Sequence, residues 1–131
     1  MYQVTHYKEA SLTIELQPID LCAECGFVLG NAIKYILRSD YKNHFEDDLI
    51  KARDYLNFLR NYLENNQDAL ILKLSPRAII AGIEYCKKSN VLAILFENYQ
   101  TLHDWYTSTQ IVIKDDQVKK CIHEITSILE H

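Results

Sequence analysis

Leu49, Ala52, Leu56, Leu59 and Leu63 step along the chain by three and four residues in alternation. A strand would scatter these side chains over both faces. An α-helix gathers them into one stripe, because residues three and four apart share a face. The spacing therefore predicts a long helix near 46–65 whose seam packs on another helix. Glu46, Asp47 and Asp48 stand at its start, where acids suit the positive end of the helix dipole. With only 3 Gly and 2 Pro in 131 residues, the chain is too poor in turn formers for a many-stranded sandwich.

Further helices follow from punctuation and periodicity. Pro18 suits a first helical turn and Gly26 a helix end, so a short helix is expected at about 18–25. From Phe27 to Arg38, Val28, Ala32, Ile33, Ile36 and Leu37 form an apolar face, with Asn31, Lys34 and Arg38 on the opposite stripe. A polar loop, 39–45, leads into the long helix, and Asn65-Asn66 ends it. Ser75 as N-cap and Pro76 at the first position open a helix to about Lys88. Ser89-Asn90 breaks it, and 91–105 reads as another. Gln110-Ile111-Val112-Ile113 is β-branched and short, a strand or a tight connection. Asp115-Asp116 opens a last amphipathic helix with Val118, Cys121, Ile122, Ile125, Ile128 and Leu129 on one face. Residues 11–16 alternate polar and apolar, a short strand or an extended arm. The expected fold is mainly α, a compact bundle of five or six helices with one or two short strands, in a single domain over 1–131.

A net charge of −4 argues against general binding of nucleic-acid polymers, which needs clustered Lys and Arg to displace counterions, but leaves room for a local phosphate pocket. No apolar run approaches the roughly 18–20 residues of a membrane helix, and the first residues lack the basic-then-apolar order of a signal peptide. No membrane partner and a cytoplasmic location are the expectation. The cysteines agree with it. Cys22 and Cys25 form a lone C-x-x-C, Cys86 and Cys121 stand apart, and no second pair at zinc-ligand spacing accompanies them. On a shared helix Cys22 and Cys25 would be one turn apart and act as small buried hydrophobes.

Lys34 and Arg38, one turn apart, could hold one phosphate group, Arg as a bidentate fork and Lys as a point charge. Asn31, a turn earlier, could read a base or a sugar hydroxyl. On the next helix Asp48, Lys51 and Tyr55 share a face. If the two helices pack antiparallel, both stripes border one cleft, which Lys42 in the loop and His6, Tyr7 and Lys8 in the N-terminal arm would close. The plainer reading makes Asp48 and Lys51 a solvated pair worth tenths of a kcal/mol, Lys34 and Arg38 a wet face, and His6 and His44 surface histidines. Periodicity alone favours that reading, since charged helix faces are usually just solvated.

A longer string of residues reverses the preference. Leu29-Gly30-Asn31-Ala32-Ile33-Lys34-Tyr35-Ile36-Leu37-Arg38, Lys42, and Asp48-Leu49-Ile50-Lys51-Ala52-Arg53-Asp54-Tyr55-Leu56 resemble a small family of phage and bacterial proteins. His6-Tyr7-Lys8 and Pro18-Ile19-Asp20 match its pattern as well. Most members lack an assigned function; one is a phage kinase of deoxynucleoside monophosphates. The resemblance covers about 6–64, leaving 65–131 as a helical extension of unrecognised type. Gln17 stands where many relatives carry an acid, so no carboxylate acts there. The resemblance implies a nucleotide-binding protein with kinase-like phosphotransferase activity. Lys34, Arg38 and Lys51 are the expected catalytic cations, and His6, Tyr7, Lys8, Asn31, Lys42, Asp48 and Tyr55 the expected nucleotide contacts. His6 would serve as a general base or a phosphate contact. No G-x-x-x-x-G-K-[ST] is present, so phosphates would be neutralised by side chains and catalysis would rest on positioning and electrostatics. No cofactor beyond Mg²⁺ carried by a nucleotide is implied.

Two alternatives stand beside this. A Mg²⁺-dependent nucleotide pyrophosphohydrolase would draw ligands from Glu46, Asp47, Asp48 and Asp54, with Asp47 and Asp54 on one face, but the paired E-x-x-E and E-x-x-D motifs of that class are missing. A non-enzymatic interaction protein, forming a homo-oligomer, would use part of the aromatic set Tyr85, Phe96, Tyr99, Trp105 and Tyr106, most of which should be core.

Overall fold

The computed structural model describes residues 15–40, 45–66, 69–97 and 110–131. Among them it is mainly helical, with α1 (Pro18–Cys22), α2 (Phe27–Arg38), α3 (Phe45–Asn66), α4 (Pro76–Lys88), α5 (Asn90–Leu95) and α6 (Asp115–Leu129). Strands β1 (Ala69–Leu72) and β2 (Ile111–Lys114) form one antiparallel pair, with Ala69 opposite Lys114 and Leu72 opposite Ile111.

The predicted seam is the centre of the molecule. Leu49, Ala52, Leu56, Leu59 and Leu63 are all buried, as are Leu29, Ala32, Ile33, Ile36 and Leu37 of α2. The α2–α3 contact is the most extensive between any two described elements, and α6 also packs on α3, with Val118, Cys121 and Ile125 in the shared core. Arg60 reaches Asp115 at 3.3 Å, and Arg53 donates a hydrogen bond to Thr126 Oγ1 at 3.3 Å, so polar side chains also tie α3 to α6.

The α4 start follows the predicted chemistry: Ser75 Oγ accepts from the Ala78 N–H at 3.2 Å. Ser75 itself is held by Glu24, to which its N–H and hydroxyl donate at 2.7 and 2.6 Å. Arg77 donates to Asp20 at 3.0 Å and also bonds the Glu15 carbonyl. These contacts latch α1 onto the first turn of α4.

Several boundaries differ from the sequence expectation. α1 stops at Cys22, and a tight turn carries the chain through Ala23–Cys25, with Cys25 N–H on Cys22 O at 3.2 Å. Gly26, at φ 81°, precedes α2 and does not end α1, and Cys22 and Cys25 do not share a helix. α1 and α2 approach closely there: a Cβ on Gly30 would lie 2.5 Å from the Cys22 carbonyl oxygen. The helix expected over 91–105 ends at Leu95. Glu97 turns to φ 53°, and the Leu95 carbonyl is taken by Gln117 Nε2 at 3.0 Å instead of a further helical N–H. Residues 98–105, with Tyr99 and Trp105, lie outside the described residues, as do Tyr106 and 11–14 of the alternating segment; Glu15 and Leu16 are not in a strand. Tyr85 and Phe96 are core. The strand at 111–114 has a partner, Ala69–Leu72, that its four-residue apolar run did not single out.

Two predictions follow from this packing. Gly30→Ala should lower the unfolding free energy by about 1–3 kcal/mol, the range for forcing atoms into a packed site, as read from the urea midpoint; an unchanged midpoint would mean that α1 moves aside freely. The second concerns acid. Burial works to raise the Asp20 pKa, but hydrogen bonds from Arg77 and the Gln17 backbone, with the Arg77 charge, outweigh it and hold the carboxyl below its usual range. A group whose folded pKa lies below its unfolded value binds more protons when unfolded. Its stabilisation is therefore present above the ordinary carboxylate value of about 4 and is lost as pH falls through the lower folded one. Asp20→Asn should flatten the melting temperature against pH below about pH 4; a slope unchanged from the parent would place that acid sensitivity elsewhere.

Candidate functional site

α2 and α3 run antiparallel, as pairs along them show. Arg38 near the end of α2 meets Asp48 near the start of α3, while Phe27 at the beginning of α2 meets Tyr55 further along α3. This places the polar stripe of α2 beside one edge of α3. Tyr35 and Tyr55 stack across the seam, ring centroids 6.1 Å apart and planes inclined by 13°. Phe27 meets Tyr55 edge-on, also at 6.1 Å.

Three cationic heads gather at the Tyr35 ring. Lys34 Nζ lies 4.7 Å from its centroid, Lys51 Nζ 5.3 Å and Arg38 Cζ 5.6 Å. Each is within the ~6 Å over which an aromatic face attracts a cation, an effect worth about 0.5–1 kcal/mol near a surface. Because all three lie close to one ring, their mutual repulsion is not fully screened. Asp48 faces them as the one carboxylate in an ion pair with the cluster among the described residues, its Oδ2 4.0 Å from Arg38 Nε. Lys34 and Lys51 have no ion pair among the described residues. Three cations gathered in this way attract an anion, and the fork of Arg38 beside two point charges suits a phosphate.

A groove of about 330 Å³ opens beside this cluster between α1 and α2. Ile19, Cys22, Gly30 and Phe27 line it, with Asn31 and Lys34 supplying polar groups. Gly30 lets the α1 backbone form the floor. Asn31 Nδ2 donates to the Phe27 carbonyl at 2.8 Å, which fixes the amide and leaves its Oδ1 as acceptor. Phe27 is 75% exposed, an uncommon position for a phenyl ring, and walls the groove. A second, apolar groove of about 270 Å³ lies on the other side of Phe27, lined by Val28, Asp54, Tyr55 and Phe58.

Of the residues singled out in the sequence, the fold brings together Lys34, Arg38, Lys51 and Tyr55, with Asn31 one turn away along the groove. Asp48 is 1% exposed, so it touches Arg38 and no surface ligand; the solvated Asp48–Lys51 pair is replaced by this buried contact. His6, Tyr7, Lys8, Lys42 and His44 lie outside the described residues. Tyr35 and Phe27 carry the geometry yet were not singled out. The signal for Tyr35 was its place between Lys34 and Arg38 on the rim of the apolar face.

The acids of the metal-centred alternative do not converge. Glu46, Asp47 and Asp54 are exposed on α3, Asp48 is buried against Arg38, and among the described residues no three His, Cys, Asp or Glu side chains gather as a ligand set. All four cysteines are free thiols. Burial pushes Cys22, Cys25, Cys86 and Cys121 up to about 12, with the Lys34 charge opposing the rise only at Cys22. Cys22 alone among them is partly exposed, at the groove wall. No helix among the described residues is long and apolar enough to cross a membrane.

Residues 2–57 match the sequence profile of a family described as a protein of unknown function, DUF3310. The matched stretch contains α1, α2 and the part of α3 that carries Asp48, Lys51 and Tyr55, so it coincides with the elements that build the cation cluster. No curated protein and no solved structure shows a significant match.

The thiols provide a check on this geometry. In native protein near pH 8 a disulfide reagent should modify Cys22 first and slowly, and the other three only on unfolding, because thiolate is the reactive form and burial suppresses it. Nucleotide should slow the reaction at Cys22 if it fills the groove. Rapid labelling of Cys86 or Cys121 in native protein would contradict the packing.

Proposed function

We propose that this chain binds a nucleotide, with the phosphate between Lys34, Arg38 and Lys51 and the base in the groove between α1 and α2. The observation that carries the reading is the convergence of three cations from two helices on the ring of Tyr35. The groove continues from Lys34 past Asn31 to the exposed face of Phe27, so a planar base has a ring to lie against and a fixed amide to read an edge. Its volume is at the lower end of small-molecule sites, about 300–1,000 Å³, which suits one nucleoside.

The proposed reaction is phosphoryl transfer from a nucleoside triphosphate, carrying its Mg²⁺ as part of the substrate, to a nucleoside monophosphate. It draws on the sequence resemblance to a family that includes such a kinase. The chain's own contribution would be charge neutralisation by Lys34, Arg38 and Lys51 and alignment of the two phosphates; His6, Tyr7, Lys8 and Lys42 are proposed to close the site. The free thiols suit a cytoplasmic setting, which belongs to the same proposal.

A second reading rests on exposed apolar side chains. Phe27, Phe58, Ile19 and Tyr62 are all about half exposed or more, and such a set also suits a contact with a second copy. Light scattering separates the two: a monomer across the micromolar range removes the oligomer reading.

A thermal-shift screen of common nucleoside mono-, di- and triphosphates, with and without Mg²⁺, tests the proposal. A ligand at about 100 times its Kd stabilises by about 2.7 kcal/mol, a rise of several degrees for a chain of this size. Lys34→Ala and Lys51→Ala should abolish the rise while leaving the unliganded melting temperature within about 2 °C, since surface changes of this kind are small. No rise with any nucleotide would refute the reading.

A further inference from the structure

Asp48 is an unusual residue to find in a helix seam. Its side chain is 2% exposed and its Oδ2 accepts no hydrogen bond among the described residues, although it is fully shielded from water. An ionised carboxylate in that state is expensive unless something compensates. The compensation in place is modest: the first turns of α3, where the helix dipole favours an acid, and Arg38, whose Nε stands 4.0 Å away. That separation is too long for a hydrogen bond. It is short enough for a strong pull through a poorly screened interior.

Arg38 has a different exposure. Its side chain is 37% exposed and its guanidinium sits over Tyr35, with the terminal nitrogens making no hydrogen bond among the described residues. Nε is turned to Asp48, so the two-pronged edge is left for something else. An arginine side chain otherwise samples many rotamers, and ordering it at the moment of binding weakens affinity. Asp48 and Tyr35 are the two groups that lie against it.

We infer that Asp48 is a positioning residue: it fixes the guanidinium of Arg38 with its forked edge toward the ligand and does not itself touch ligand. The inference deepens, and for its ligand-bound half rests on, the nucleotide-binding reading. It also bears on stability, because the two partners differ in burial. Asp48→Asn keeps the volume, removes the buried charge and frees Arg38, which solvent can accommodate. Arg38→Gln does the reverse, leaving the buried carboxylate with no cation. The first variant should melt at the parental temperature or higher by about 2–5 °C, and the second should melt lower by a similar amount.

The test uses the full chain, with and without ligand. In unliganded protein, the Arg38 Nε–H resonance should be displaced by the nearby carboxylate and the Tyr35 ring in the parent, and should move to the position of a solvated arginine in Asp48→Asn. For binding, the probes are inorganic phosphate and GMP. Removing a negative charge beside a cation cluster would by field alone tighten anion binding. The positioning account predicts instead about tenfold weaker binding in Asp48→Asn, with recovery in Asp48→Glu if the longer carboxylate reaches the same Nε. An unchanged Arg38 resonance or tighter phosphate binding would each overturn the inference. Should the parent bind neither probe, the ligand-bound half of the inference fails, while the resonance still decides whether Asp48 orders Arg38.

Discussion

The antiparallel contact between α2 and α3 is the constraint on which the remaining structure depends. It buries the Leu and Ala seam of α3 against Ile33, Ile36 and Leu37, and the same register sets the polar edges of the two helices side by side. Had the helices crossed at a steep angle, Tyr35 could not have stacked on Tyr55 while Arg38 met Asp48 two turns away. Hydrophobic burial supplies the free energy, and the register it selects supplies the electrostatics. Fold and site are therefore one arrangement seen from its two sides.

The gathering of Lys34, Arg38 and Lys51 around one ring runs against what folding alone would favour. Cations repel, and nothing in the core requires them to meet. Tyr35 offsets part of the repulsion through its π face, and Asp48 offsets more at the expense of a buried, incompletely bonded carboxylate. Chains violate local rules of this kind mainly where function demands it. The matched profile of a family of unknown function covers the same helices.

What could be read beforehand was whatever local periodicity encodes. The 3–4 stepping of Leu49 to Leu63, the Ser75-Pro76 start and the acids at 115–116 each gave an element with its boundary close to place, because the physics of helix faces and caps is local. The errors have nonlocal causes. α1 ends where its backbone meets Gly30, eight residues beyond its end. α5 is cut off where Gln117, over twenty residues on, takes the Leu95 carbonyl. β1 exists because Ile111–Lys114 pairs with it. The site divided along the same line. Lys34 and Arg38 on one helix face, and Lys51 and Tyr55 on the next, followed from spacing. That Asp48 turns inward and that Tyr35 stands at the middle of the cations depended on how the two helices rotate about their axes, which spacing alone does not give.

The account is tested most directly by mapping where a nucleotide touches the chain. In a titration of isotope-labelled protein with the nucleotide that most raises its melting temperature, followed by NMR, the Tyr35 and Tyr55 ring signals and the Lys34 and Lys51 side-chain signals should shift together along one saturating curve, with Asn31 and Phe27 following. Saturable shifts centred on α6, or none above those produced by equal ionic strength of chloride, would contradict it.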